Sequence, residues 1–311
     1  MNASHERAVL KAGCQTYTWE MLKQHWTGDA DDLLAAISAA GYSGIEITDT
    51  MIGSYANRPE AFAAALRAHG LQLVAFACGS ASGFTEPSAV ADDLQAVDRA
   101  LEFTATFPNA LLSLGSATSV SPGSVDDKFS IAASFYNAAG ERGRRAGVTV
   151  AMHPSSHHNT LLGTRAEYDR IMGLTDPALV GWVPDTGHIL RGGQNLLETI
   201  GAHLDRVRYL HLKDVDAEGH WRMLGDGRCD TPAVVALVAS APNFNGWLVL
   251  EEESDAAAAN PADAVRRNRD MLRTIVVCGL SARTSSTTRL RRSERPQPAQ
   301  ARPAGRGKRE G

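Results

Sequence analysis

Short apolar runs of strand length alternate with helix-like segments from residue 10 to residue 278, and this alternation limits the possible folds most. The runs are 10–17 (LKAGCQTY), 44–48 (GIEIT), 71–78 (LQLVAFAC), 109–117 (NALLSLGSA), 148–153 (VTVAMH), 180–187 (VGWVPDTG), 207–214 (VRYLHLKD) and 246–253 (GWLVLEEE). Between them lie segments with helix start and stop signals. Asp29–Ala40 has acidic residues in its first turn and Gly41 after its end, and Thr164 with Glu167 forms a capping box. Strands that strictly alternate with helices form a parallel sheet. Eight such units in about 270 residues predict an α/β fold, a single (β/α)8 TIM barrel spanning residues 1–280. A doubly wound open sheet is the alternative, but no Gly-rich dinucleotide loop follows the first run.

The 311-residue chain carries a net charge of −4, unevenly spread. Residues 281–311 hold nine Lys/Arg, two Asp/Glu, one Leu and no aromatic residue, so the preceding 280 residues carry −11. A segment of that composition cannot offset its ordering entropy by burial, which predicts a disordered basic tail over 281–311. The acidic body gives no reason to expect nucleic-acid binding. Cys14, Cys78, Cys229 and Cys278 are scattered without a CxxC pair. This argues against a disulfide framework and fits a reducing compartment. With no membrane-length apolar run and no signal-like N-terminus, the expectation is a cytoplasmic protein that does not enter a membrane.

In a parallel barrel the C-terminal strand ends converge on one mouth. The second run offers Glu46 and the fifth His153, with His157 and His158 beyond. The sixth offers Asp185 and His188, the seventh His211, Lys213 and Asp214, and the eighth Glu251, Glu252 and Glu253. Strand alternation puts 251 and 253 on one side and 252 on the other. Carboxylates that converge repel unless a cation neutralises them. A mixed carboxylate–imidazole set suits Mn²⁺, Co²⁺, Mg²⁺, Fe²⁺ or Zn²⁺ without choosing among them. Asp185 and His211 carry most weight, because each ends a run too apolar to be a surface strand. Glu251 is preferred to Glu253 for the inward slot.

The pieces GYSGIEIT (41–48), PDTGH (184–188), HLKD (211–214), LGDG (224–227) and LVLEEE (248–253) resemble the xylose isomerase-like TIM-barrel superfamily of sugar isomerases and epimerases. QTYTWEML (15–22) is similar to the opening of its inosose dehydratase-like members. The resemblance covers roughly residues 10–280. It implies one divalent metal, Mn²⁺ first, held by Asp185, His211 and Glu251, and a small polyhydroxylated carbonyl substrate met by His188 and Glu46.

The family's fifth strand usually ends in a Glu. Here it ends AMHPSSHH, so His153 is the expected fourth ligand, with a three-ligand site and His153 behind it as the alternative. Glu251 is the expected base, aided by His188 and Lys213, with Tyr17, Trp19 and Trp221 as apolar walls. These expectations describe an isomerase or epimerase, with an inosose dehydratase-like lyase as the alternative and a non-catalytic sugar-binding barrel behind it. The family's DNA-repair endonucleases need three zincs and more strand-end His residues. Family members often pair, so a homodimer is also expected.

Overall fold

The computed structural model describes residues 9–275, and the tail expected over 281–311 lies outside them. Eight parallel strands form the barrel: β1 (Lys11–Gln15), β2 (Gly44–Thr48), β3 (Gln72–Cys78), β4 (Leu111–Leu114), β5 (Thr149–Met152), β6 (Val180–Trp182), β7 (Leu210–Leu212) and β8 (Trp247–Leu250). Pairing runs β6-β5-β4-β3-β2-β1-β8-β7. The circuit closes through two isolated parallel bridges along the β6 and β7 runs, Trp182 with Val207 and Asp185 with His211. Helices follow the predicted segments. Ala30–Ala39 is capped by Asp29, Arg165–Leu174 carries the capping box of Thr164 and Glu167, and Val125–Ala146 stops at left-handed Gly147.

Two apolar layers result. The larger packs helices onto the outside of the strands, with Leu33, Ile37, Phe62, Phe129, Tyr136 and Ile171 almost fully buried. The smaller fills the barrel: Val74, Ala75, Leu111, Ala151, Val183, Tyr209, Trp247 and Val249. Side chains alternate across a strand, so the residue two positions beyond an interior one also points inward. Beyond Ala151, Val183, Tyr209 and Val249 come His153, Asp185, His211 and Glu251. The period-2 pattern thus places a polar layer directly on the apolar plug.

Three local departures from the predicted strands shape the mouth. Residues Tyr17–Glu20 turn into a short helix instead of extending β1. The sixth run leaves the sheet after Trp182, and Asp185 becomes the N-cap of the helix Thr186–Arg191, its side chain accepting from His188 N. Beyond β7, Asp214–Val215 pairs antiparallel with Trp221–Arg222. Gly187 permits this arrangement, since a Cβ there would lie 2.9 Å from Lys213 and Trp221 side-chain carbons. Among the described residues no helix is long and apolar enough to cross a membrane.

Candidate metal centre and active site

The four expected ligands meet at the barrel mouth. Donor atoms of His153, Asp185, His211 and Glu251 all lie within 4.8 Å of one another. Asp185 and His211 are fully buried, Glu251 is 4% exposed, and the His153 side chain is 15% exposed. Two of these donors lack hydrogen-bond partners: His153 Nε2 and Asp185 Oδ2, which face each other across 3.6 Å. His211 Nδ1 lies 3.7 Å from Asp185 Oδ2 and 3.0 Å from Glu251 Oε2. Buried polar atoms without partners cost free energy, and a cation between them would remove that cost. Two imidazoles and two carboxylates are a suitable donor set for a divalent first-row ion. The residues present therefore fit a divalent metal.

The surrounding charges point the same way. Lys213, 2% exposed, sits 2.7 Å from Glu251 Oε1 and also bridges to Glu253. Burial opposes its charge, but Glu251 and Glu253 together hold the ammonium above its ordinary pKa. Glu251 is pushed up by burial and more than compensated by Lys213 and His211, so it stays ionised. Glu253 is different. Burial raises it to about 7, against the pull of Lys213. For His211, burial favours the neutral ring, yet Glu46, Asp185 and Glu251 hold its imidazolium well above the ordinary value. Asp185, Glu46 and Glu251 face His211, and Glu251 and Glu253 flank the Lys213 ammonium.

His188 is buried, and its Nδ1 lies 3.0 Å from Ser156 N and 2.9 Å from Ser156 Oγ. A backbone N–H can only donate, so Nδ1 must be the acceptor, which puts the ring proton on Nε2. Burial keeps the ring neutral, well below its ordinary pKa. His157, His188 and Glu253 also bring donor atoms within 4.8 Å of one another. The His188 tautomer argues against a second cation there, because the available nitrogen carries a hydrogen. This corner instead offers a hydrogen-bond donor and an acceptor.

The expected wall residues separate. Trp221 stands at the rim between cations, with Lys213 Nζ 4.3 Å and Arg191 Cζ 4.9 Å from its ring centroid and His188 at its edge. Tyr17 is half-buried, its ring 6.2 Å from that of His157. Burial and the nearby Glu253 and Glu251 push its phenol up to about 12. Trp19, expected as a wall, is only 3% exposed and belongs to the outer core. Its place follows from the helical turn at Tyr17–Glu20, which swings 19 inward.

Glu46, expected at substrate, is fully buried. Its oxygens engage His211 Nε2 at 2.8 Å and Gln15 Nε2 at 3.2 Å. Glu252 faces the other way, accepting from Ser254 N and Asn268 Nδ2. Asp214, part of the seventh-run cluster, ties down the following loop by accepting from the backbone N–H groups of Val215, Gly225, Gly227 and Cys229. Ser156 had no signal of its own in the sequence, and Gln15 stood out only as the first residue of QTYTWEML. Their distances to His188 and Glu46 mark their roles.

Comparison with known proteins agrees with this architecture. Residues 34–275 match the family model described as xylose isomerase-like TIM barrel. The chain is 32% identical over 162 residues to an inosose dehydratase of Geobacillus thermodenitrificans, covering 46% of this chain and 53% of that protein. An inosose dehydratase of Lactiplantibacillus plantarum is 36% identical over 146 residues, 41% of this chain and 47% of its own length. The chain thus spans about half the length of the curated relatives it matches. Among solved structures, the IolI protein with a bound zinc atom superposes with a TM-score of 0.71 at 14% identity, covering 88% of this chain and 99% of that one. At that identity the likeness shows the fold alone. The closed eight-stranded circuit and a family match over most of the chain lead to one conclusion: this protein belongs to the xylose isomerase-like TIM barrel family.

Proposed function

We propose that this protein is a divalent-metal-dependent enzyme that dehydrates a cyclic polyhydroxylated ketone of the inosose type. The observation that carries the reading is the distribution of bases around the quartet. The carboxylates come from β2, β6 and β8, and β5 contributes only the imidazole of His153. Its Nε2 faces Asp185 in the quartet and would be committed to the ion, leaving no second opposed base. Two-base epimerisation requires a base on each face of the substrate. Elimination requires one base beside the carbonyl and an acid for the leaving hydroxyl. The half-length similarity to inosose dehydratases supports the same choice.

A bound divalent ion would supply Lewis-acid polarisation of the ketone and an adjacent hydroxyl. The ion would be held by His153, Asp185, His211 and Glu251. Both oxygens of Glu251 are engaged, one with His211 and one with Lys213. By position Glu253 is therefore the better base for the proton α to the carbonyl. Lys213 holds it beside the mouth, and its ammonium balances negative charge developing on the substrate. The His188 Nε2–H faces the same corner and donates to a substrate oxygen. Trp221 covers the apolar face of the ring.

The test is proton NMR in D₂O of the Mn²⁺-loaded protein with 2-keto-myo-inositol. Loss of water to an enol or diketone is the expected result. Exchange at an α-carbon with no loss of water would replace dehydration by isomerisation or epimerisation. Neither, with no bound metal, would leave a sugar-binding barrel.

A further inference from the structure

The geometry points to Glu46 as a positioning residue that orients His211 for the cation and makes no contact with substrate. This role rests on the metal reading above. Glu46 is fully buried in the middle of β2, where the β2–β3 register slips between Ile45 and Glu46. Its Oε2 is 2.8 Å from His211 Nε2. Its Oε1 accepts from Gln15 Nε2 at 3.2 Å, and Gln15 is itself held through Oε1 by Tyr17 N at 2.9 Å and Thr16 Oγ1 at 3.3 Å. Tyr209 lies beneath, its ring 5.6 Å from that of His211. The Tyr17 N–H and the Thr16 hydroxyl thus fix Gln15, Gln15 fixes Glu46, and Glu46 fixes the imidazole.

The direction of the contact determines the chemistry. The carboxylate oxygen of Glu46 accepts in this 2.8 Å contact, so the hydrogen lies on Nε2 of His211. The nitrogen left to bind a cation is Nδ1, the one turned towards Glu251 and Asp185. A carboxylate behind a ligating histidine fixes ring orientation and raises basicity, and its loss typically lowers metal affinity about 10–100-fold. A substrate hydroxyl has no place here, since both Glu46 oxygens are engaged and the side chain has no exposed surface.

The experiment uses the full chain as wild type, Glu46→Gln and Glu46→Ala. Mn²⁺ affinity is measured by chelator competition, and imidazole N–H protons of the metal-free protein are followed by NMR. The wild type should show a slowly exchanging His211 Nε2–H resonance that Glu46→Ala loses. Mn²⁺ affinity should fall about 10–100-fold in Glu46→Ala, with part retained by Glu46→Gln, whose amide oxygen still accepts from Nε2–H. A purely structural role would lower the melting temperature and leave the affinity of the folded protein unchanged. Wild-type affinity in both variants, or a raised KM with that affinity, overturns the role alone. A wild type that binds no Mn²⁺ overturns the metal reading and this role with it, even if the His211 resonance is present.

Discussion

Replacing Asp185 by Asn separates what the carboxylate does for a cation from what it does for the fold. The capping role survives, because an Asn oxygen can still accept from His188 N, now 2.8 Å from Asp185 Oδ1. The other oxygen has no partner and faces the unpartnered His153 Nε2 across 3.6 Å. An Asn amide in that place donates to Nε2, so one change satisfies two buried atoms. An unsatisfied buried group costs about 1–3 kcal/mol. The opposing loss, attraction between Asp185 and the His211 imidazolium at 3.7 Å, offsets part of that gain, while Glu251 and Glu46 remain at 3.0 and 2.8 Å. The metal-free variant should gain about 1 kcal/mol, or roughly 2–4 °C in Tm.

Metal should invert that order. At 100 times its Kd a ligand that binds only the folded state adds about 2.7 kcal/mol, which is roughly 5–10 °C for a chain of this size. The wild type should show this rise with Mn²⁺, and Asp185→Asn should show little of it. Differential scanning calorimetry with EDTA and with saturating Mn²⁺ reads both terms. A variant less stable than wild type without metal, yet equally stabilised by Mn²⁺, would refute the argument that the quartet is built around a cation.

Three further outcomes follow from the same geometry. Metal binding must displace a proton from His211, whose folded pKa is raised. Its contribution to metal-free stability is complete below the unfolded value near about 6.5 and is lost as pH rises through the folded one. Stability without metal should therefore fall above neutrality while Mn²⁺ affinity increases, with proton release visible by calorimetry in buffers of different ionisation enthalpy. Lys213→Met leaves Glu251 and Glu253 buried without their ammonium. It should cost about 3–5 kcal/mol at pH 8 by urea unfolding, and less at pH 5, where the carboxylates can take up protons. Asp214→Ala strands four backbone N–H groups. It should destabilise by about 3 kcal/mol and open the 224–229 loop to limited proteolysis.

The chain by itself determined the barrel and its metal-ligand candidates, for a simple reason. Strand alternation has a period of two and helix punctuation is local, so GIEIT, the Asp29 start and the Thr164–Glu167 capping box are legible without tertiary contacts. The same period puts His153, Asp185, His211 and Glu251 two residues beyond the barrel plug, and the structure brings these four together. Tertiary structure alone decided the orientation and the partner of each group. Trp19 entered the core because the chain turned helical at Tyr17. Glu46 turned to His211 because β2 and β7 face each other across the barrel interior, 165 residues apart in sequence. Ser156 sets the tautomer of His188 through a hydrogen bond 32 residues away in sequence. Hydrogen-bond direction depends on distances and angles between strand ends, and those exist only once the barrel has closed between β6 and β7.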